Sequence, residues 1–266
     1  RVEWGEAGVG EGTRALMSNS YWKKPLTWNR QAQFADKPMT VFPSLCDPFD
    51  TAVPQVWRWH FVQLMEATPN LIWLLLTKRI GNVRKLTDPS AGERPLPPNV
   101  ALGATFANQE EWDRDSRKLE DAQQLVQARF TFGSFEPLLG PIAFRGGWMP
   151  DALFVGGETD QGPHKARPMS IQWVREIRDQ SAKAGKIFHF KQWGEWAPAV
   201  PRPSETPGQF AYGDYGHDRA RMHITDRYPR QFTMLGARSV MERLGKKRAG
   251  RLLDGVLHDG YPKVTA

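Results

Sequence analysis

Six short apolar segments recur along the chain, and each is followed directly by polar or small residues. The segments start roughly every 23 to 35 residues, which is about the length of one strand–helix unit. Unbroken apolar runs of this kind are typical of strands in a parallel sheet that is covered on both faces. The six predicted strands are residues 40–45, 71–76, 100–106, 129–135, 152–155 and 186–190.

Segments with a helical spacing of apolar residues lie between the predicted strands. Residues 110–128 place Trp112, Leu119, Ala122 and Leu125 on one side, which predicts a helix packed on the sheet. Further helices are predicted at residues 54–67, 80–86 and 170–184. This alternation predicts an α/β fold, a partial or full (β/α) barrel of mainly parallel strands.

Polar residues collect where the predicted strands end. Ligands of α/β folds bind at the carboxyl ends of the strands, so these residues are candidates for a site. Charges that recur at the same end of several strands are costly to bury without partners, which favours a polar ligand site. The candidates are Asp47, Thr77, Lys78, Arg79, Asn108, Glu136, Gly156, Gly157, Glu158, Lys191 and Gln192.

These candidates have both chemical and structural interpretations. The Glu136 carboxylate could accept hydrogen bonds from an amine or from ribose hydroxyls, or it could pair with a strand-end cation such as Lys78. Thr77-Lys78-Arg79 contains the cations that a carboxylate or phosphate clamp needs. Gly156-Gly157-Glu158 would let the backbone approach a ligand, although a tight turn would use the same glycines.

The regular alternation ends near residue 197. Four prolines in residues 198–207 mark a link between two parts of the chain. We expect a barrel-like domain over residues 1–197, and a Pro-rich link and basic C-terminal extension over residues 198–266 that packs on the barrel. Residues 208–232 are expected to be irregular, and residues 238–257 are expected to form basic helical segments.

The net charge of +7 is concentrated in one late segment. Residues 219–251 carry ten Arg or Lys and two acids, whereas the rest of the chain carries 26 basic and 27 acidic residues. This asymmetry suggests a nucleic acid or nucleotide as partner, and the alternative is a solvated basic face on C-terminal helices.

No apolar stretch approaches the roughly 18 residues that a membrane helix needs, so no membrane partner is expected. No signal peptide opens the sequence, and the single cysteine, Cys46, suits a reducing compartment. We therefore predict a cytoplasmic protein.

Several common catalytic motifs are absent from the sequence. It has no Walker loop, no nucleophile elbow and no His-Glu-x-x-His, and its six histidines are scattered. Zinc and serine hydrolases are therefore not favoured. A carboxylate-based metal hydrolase that uses Asp47, Glu136 and Glu158 is a weaker alternative.

A series of longer motifs follows the strand ends in a fixed order. They are Ser44-Leu45-Cys46-Asp47-Pro48-Phe49-Asp50, Leu76-Thr77-Lys78-Arg79, Asn108-Gln109, Ser134-Phe135-Glu136-Pro137-Leu138-Leu139-Gly140-Pro141, Gly156-Gly157-Glu158, Arg167-Pro168-Met169, Phe190-Lys191-Gln192-Trp193-Gly194 and Gly250-Arg251-Leu252-Leu253-Asp254-Gly255. From about residue 22 to residue 262 the chain resembles the phage and prophage "three-Cys-motif" family, whose function is unknown and which is similar to radical S-adenosylmethionine enzymes.

The resemblance implies a barrel that holds a 4Fe–4S cluster and S-adenosylmethionine at its mouth. Three thiolates bind such a cluster, and in the family they lie before the part that matches Trp22. This sequence offers only Cys46, so the cluster ligands are absent from it. We expect that the first strand and the cluster loop are missing here; the alternative is a relative without a cluster.

The resemblance also implies roles for strand-end residues. Cofactor binding would involve Thr77, Lys78, Ser134, Glu136, Gly156, Gly157 and Glu158. The substrate side would involve Asp47, Arg79, Asn108, Lys191 and Gln192. Two functions follow: a radical S-adenosylmethionine-like enzyme acting on a nucleobase or nucleotide, or a non-catalytic nucleic-acid-binding protein that lost or never had the cluster.

Overall fold

The computed structural model describes residues 13–35, 38–200, 203, 206–214, 221–227, 229 and 240–262. Its helices are α1 (Asn19–Trp22), α2 (Lys24–Ala32), α3 (Gln55–Glu66), α4 (Val83–Leu86), α5 (Gln109–Val126), α6 (Ile171–Lys183) and α7 (Lys246–Ala249). Its strands are β1 (Met39–Val41), β2 (Leu71–Thr77), β3 (Val100–Thr105), β4 (Thr131–Phe135), β5 (Ala152–Gly156), β6 (Ile187–Gln192), β7 (Trp196–Pro198), β8 (Pro207–Asp214), β9 (Arg221–Arg227), β10 (Val240–Arg243), β11 (Leu252–Leu253) and β12 (Val256–Leu257).

Strands β1 to β6 form one sheet in which spatial neighbours follow the order of the chain. The pairs β1–β2, β2–β3, β4–β5 and β5–β6 are parallel. Parallel neighbours need a crossover, and helices α3, α4 and α6 lie in the connections β1–β2, β2–β3 and β5–β6. Helix α5 connects β3 to β4. The predicted α/β class of mainly parallel strands, wound in the order of a partial (β/α) barrel, is confirmed.

The central strands are buried as their continuous apolar runs require. Six of the seven residues of β2 and all five residues of β4 are buried. Strand β1 is shorter than predicted, because Pro43 follows it and cannot donate a hydrogen bond to a ladder. The chain turns there, with the Cys46 amide donating to the Pro43 carbonyl.

Helix α5 buries a slightly different side from the predicted one. Trp112, Leu119 and Ala122 are buried as expected, but Leu125 is 49% exposed and Val126 is buried in its place. Positions 119, 122 and 126 follow the helical repeat of 3.6 residues, whereas position 125 lies a quarter turn away.

Two compact units divide the chain. The first comprises Arg1–Ala104, Lys118–Thr131 and Lys263–Ala266, and the second comprises Thr105–Arg117 and Phe132–Pro262. The predicted domain boundary at residue 197 stays a prediction. Strand β7 lies at this position and pairs with β10. Within the second unit, residues 240–243 and residues 196–198 therefore belong to the same sheet.

The prediction of a helical C-terminal extension is wrong. Strands β8, β9 and β10 form an antiparallel sheet with β7, and the helix in this part of the described chain, α7, has four residues. Phe210 and Val240 are buried in a small core against Ala199. Alternating apolar and aromatic residues favour strands, and this preference outweighs the helical tendency of the basic residues.

A hairpin and an extended segment follow α7 and cover the free edge of β6. Asp254 and Gly255 have positive φ angles of 54° and 77°, as a tight two-residue hairpin turn requires. The Phe190 amide then donates to the His258 carbonyl at 2.9 Å. Gly260 lies so close to β6 that an added Cβ would overlap the Phe188 carbonyl oxygen. Covering this edge prevents other strands from pairing with it.

We predict that Gly260→Ala lowers the free energy of unfolding by about 1–3 kcal/mol, because the methyl group must displace backbone atoms at the β6 edge. Urea denaturation followed by circular dichroism measures this change. Gly140→Ala is the matched control, since its added Cβ would meet only Asn108 Cβ at 3.9 Å. Equal stability of the two variants would contradict the tight approach of residues 258–260 to β6.

Candidate functional site

The first unit contains a group of paired charges after β1 and β2. The Thr77 hydroxyl donates to the Asp47 carboxylate, at 2.9 Å from Oδ1 and 3.0 Å from Oδ2. Arg79 Nη1 donates to Asp47 Oδ2 at 3.1 Å, and the Arg79 amide donates to Thr77 Oγ1 at 2.8 Å. The structure therefore brings three of the predicted residues together, and they bind one another.

Asp50 extends this group, which we call the aspartate cluster (Arg14, Asp47, Asp50, Thr77 and Arg79). Arg14 donates to Asp50 Oδ2 through Nη2 at 2.7 Å and through Nε at 3.0 Å. Desolvation opposes ionisation of Asp50, but hydrogen bonds from the Ala52 amide and Arg14 outweigh it and lower the pKa of the carboxyl group. Two aspartates and two arginines thus neutralise each other within the first unit.

Sequence reasoning missed Arg14, which lies 36 residues before Asp50 in a segment without a predicted element. Lys78, by contrast, was predicted to bind a ligand but is exposed. In the part of the chain that the structure describes, it makes no hydrogen bond or ion pair. Its predicted role stays a prediction.

Cys46 precedes Asp47 and is exposed to solvent. Local desolvation, followed by the negative charge of Asp47, nevertheless raises the pKa of the thiol to about 11. The thiol is therefore protonated at neutral pH, and a protonated thiol is a poor metal ligand. Among the described residues, no group of three His, Cys, Asp or Glu could hold a metal ion.

The second unit brings other predicted residues together at the carboxyl ends of β4, β5 and β6. Lys191 Nζ donates to Glu136 Oε2 at 2.8 Å, and Gln192 Nε2 donates to Glu136 Oε1 at 2.6 Å. An added Cβ on Gly156 would lie 3.0 Å from the Glu136 carboxylate, so the glycine leaves room for this group. We call Glu136, Gly156, Lys191 and Gln192 the rim cluster.

The rim cluster is accessible. The Glu136 side chain is 20% exposed and the Lys191 side chain is 54% exposed. Exposed ion pairs contribute only about 0–1 kcal/mol, so a charged ligand can displace Lys191 from Glu136 at little cost. The expected ion pair of Glu136 is thus present, with Lys191 as the cation.

A second layer of side chains lies one step below the rim cluster on the same strands. Ser134 of β4, Phe154 of β5 and His189 of β6 are in register. Ser134 is buried, at 9% exposure. The ring centroids of Phe154 and His189 are 5.3 Å apart. Desolvation lowers the pKa of His189, which favours a neutral ring in this layer.

Gly157 and Gly194 bring two backbone segments into direct contact. An added Cβ on Gly157 would overlap the Trp193 carbonyl oxygen, and one on Gly194 would overlap the Glu158 carbonyl oxygen. The Gly157 amide donates to the Gln192 carbonyl, and the Glu195 amide donates to the Glu158 carbonyl, both at 3.0 Å. The structure therefore explains Gly157 by close packing of the β5 and β6 ends.

Glu158 points to a salt-bridged loop. Arg167 holds it through Nη2 to Oε1 at 2.7 Å and Nε to Oε2 at 2.9 Å, and His164 Nε2 lies 3.1 Å from Oε1. Desolvation opposes ionisation, but the hydrogen bonds from Arg167 and His164 outweigh it and lower the pKa of Glu158 to about 2. Sequence reasoning missed both partners, which lie in an irregular loop.

Asn108 has a local structural role at the start of α5. Its Oδ1 accepts a hydrogen bond from the Glu111 amide at 3.0 Å, as an N-cap does. The Ala107 amide donates to the Glu111 carboxylate at 2.7 Å, which completes a box-like cap. The predicted substrate contact of Asn108 stays a prediction.

One cavity of ≈ 260 Å³ lies at the amino ends of β2 and β3, within the first unit. Three of its six lining residues are prolines, and it lies at the opposite end of β2 from Thr77. It therefore does not coincide with the aspartate cluster. The lining residues are Glu66, Pro69, Pro97, Pro98, Asn99 and Arg129.

The architecture and the rim cluster together define an α/β protein with a sequentially wound parallel sheet and polar groups at its strand ends. A family model described as "Protein of unknown function (DUF5131)" matches residues 4–262, and the chain belongs to this family. No curated protein and no solved structure matches the chain. Within the described residues, no helix is both long enough and apolar enough to span a membrane.

The pKa of Glu158 makes stability depend on pH. Because folding lowers this pKa to about 2, its contribution is present above the pKa of the unfolded chain, about 4.3, and is lost as the pH falls towards 2. We predict that Glu158→Gln removes part of the stability loss between pH 5 and pH 2, as measured by thermal melts. Glu110→Gln, an exposed acid on α5, serves as the control. Identical pH profiles for Glu158→Gln and wild type would refute the Glu158–Arg167 pair.

Proposed function

We propose that this chain is the S-adenosylmethionine-binding part of a radical S-adenosylmethionine-like phage or prophage protein, with the cofactor at the carboxyl ends of β4, β5 and β6 and a nucleobase or nucleotide as substrate. The observation that supports the proposal is the rim cluster. It combines a carboxylate, an ammonium group and an amide around a glycine with no side chain.

The rim cluster is chemically complementary to an amino acid zwitterion, such as the methionine part of the cofactor. The ligand's ammonium group would replace Lys191 as the partner of Glu136. Lys191 would then be free to bind the ligand's carboxylate, so that no charge is left without a partner. The Ser134 hydroxyl below supplies a further hydrogen-bonding group.

The iron–sulfur cluster does not fit the residues that are present. One cysteine is present in 266 residues. Three thiolates would have to come from outside this sequence. We therefore assign to this chain the binding of cofactor and substrate, and no step of radical chemistry.

The predicted ligand contacts of Asp47, Thr77 and Arg79 remain proposals. The aspartate cluster holds Asp47, Thr77 and Arg79 in a closed set of hydrogen bonds, so a ligand there would have to displace an existing partner. The rim cluster is the better candidate because its cation is more exposed.

We predict that Glu136→Gln weakens S-adenosylmethionine binding about 10- to 100-fold, because a hydrogen bond to a charged group contributes about 1.5–3 kcal/mol. Equilibrium dialysis with the radiolabelled cofactor measures the dissociation constants. Glu66→Gln, which removes a carboxylate that is 48% exposed in the first unit, should leave binding unchanged. Equal affinity of wild type and Glu136→Gln, or no binding by wild type, would reject the proposed site.

The alternative is a non-catalytic nucleic-acid-binding protein. The observation that favours it is the exposure of Lys246, Lys247 and Arg248 within the basic segment. On this alternative, wild type binds oligonucleotides with a steep dependence on salt but shows no binding of S-adenosylmethionine in the same dialysis. Tight cofactor binding would exclude it.

A further inference from the structure

Helix α7 presents three successive cations to solvent. Lys246, Lys247 and Arg248 are all exposed. Among the residues that the structure describes, none of their side chains pairs with an acid. We call these three residues the basic turn. Unpaired cations at neighbouring positions are the groups that bind phosphates in nucleic acids.

The basic turn is held in place by the loop that follows β6. The amides of Leu244 and Gly245 donate to the Glu195 carbonyl at 3.0 Å, and the Lys246 amide donates to Glu195 Oε2 at 3.2 Å. On the other side of α7, the Trp193 amide donates to the Gly250 carbonyl at 3.2 Å. Both ends of α7 are therefore attached to residues 193–195.

The same loop continues directly from the rim cluster. The path from the rim cluster to Gly250 runs along the backbone from Lys191 to Trp193 and then across the hydrogen bond between Trp193 and Gly250. At about 3.3 Å per residue, this path is roughly 10 Å long. A nucleic acid advances about 3.4 Å per nucleotide along a duplex strand, so about three nucleotides span this distance. All of these residues belong to the second unit.

We propose that the basic turn and the rim cluster form one composite site for a nucleic acid strand. The basic turn binds the phosphates, and a nucleotide of the same strand reaches Gln192, beside the methionine part of the cofactor that Glu136 and Lys191 hold. The inference rests on the proposed function for the role of the rim cluster, and it narrows the substrate from a nucleotide in general to a nucleotide within a polynucleotide.

Charges in the surrounding segment support a polyanion as the ligand. Asp254 is held by Arg175 and Arg178, at 2.5 Å and 2.7 Å, and Asp259 is paired with Arg251. Glu195 is occupied by backbone amides. Asp254 and Asp259 are thus neutralised by arginines, and the three cations of the basic turn outnumber the single negative charge of Glu195.

The first test measures oligonucleotide affinity. We expect the triple variant Lys246→Gln, Lys247→Gln, Arg248→Gln to bind a fluorescent 20-nucleotide strand at least tenfold more weakly than wild type in fluorescence anisotropy. The slope of log affinity against log salt should fall by about 2 to 3, since three phosphate contacts are lost. The matched control removes the same charge at three other exposed positions, Lys23→Gln, Lys85→Gln and Lys183→Gln.

An equal loss of affinity in the two triple variants would overturn the proposal, because net charge alone would then explain the binding. Vesicles with anionic lipids are the second probe. Binding of vesicles, but not of the oligonucleotide, to wild type would overturn it as well and would point to a membrane surface.

The second test asks whether the strand reaches the rim cluster. Lysine acetylation followed by mass spectrometry should show at least threefold protection of Lys191 when the oligonucleotide is bound, together with Lys246 and Lys247. Lys183 should stay equally reactive. Protection of Lys246 and Lys247 without Lys191 would refute the composite site.

Failure of this inference is distinguishable from failure of the proposed function. The basic-turn variant should bind S-adenosylmethionine as wild type does, because it leaves the rim cluster intact. If wild type binds no S-adenosylmethionine but the oligonucleotide still protects Lys191, the proposed function fails and the composite nucleic acid site stands.

Discussion

The close contact between residues 156–158 and 193–195 is the constraint on which the candidate site depends. Glycine is required on both sides, at positions 157 and 194, because any side chain would overlap a carbonyl oxygen. The contact joins the carboxyl ends of β5 and β6, next to which Glu136 of β4 meets Lys191 and Gln192. The same loop holds α7 through Glu195, so one backbone contact positions both the rim cluster and the basic turn.

The burial and ion pairing of each acid distinguish the groups that stabilise the fold from those that are available to a ligand. Glu158 is 11% exposed and accepts two hydrogen bonds from the Arg167 guanidinium group, so removing Arg167 leaves a largely buried charge. Glu136 is itself more exposed, at 20%, and Lys191 gives it a single hydrogen bond, so this pair contributes less. A ligand can therefore exchange into the rim cluster, whereas Glu158 acts as a structural acid of the second unit.

The sequence predicted the members of the rim cluster, but it did not predict the arginines that neutralise acids elsewhere in the chain. Glu136, Lys191 and Gln192 follow apolar strands, and parallel strands bring their carboxyl ends to one edge. Arg14 and Arg167 lie in segments without periodicity, so no local signal indicated that they would neutralise Asp50 and Glu158. The helical prediction for residues 238–257 was wrong because β10, β11 and β12 of this segment form by pairing with other strands, and Val240 is buried against Phe210.

The sequence by itself determined the succession of strands and helices from β1 to β6, since runs of apolar residues and helical spacing are local properties of the chain. It also determined that polar groups would collect at strand ends. Only the tertiary structure decided which of these groups meet. The partners of Glu136 lie 55 and 56 residues away, and contacts at such separations depend on the register of the sheet and on the approach of two glycine-containing segments.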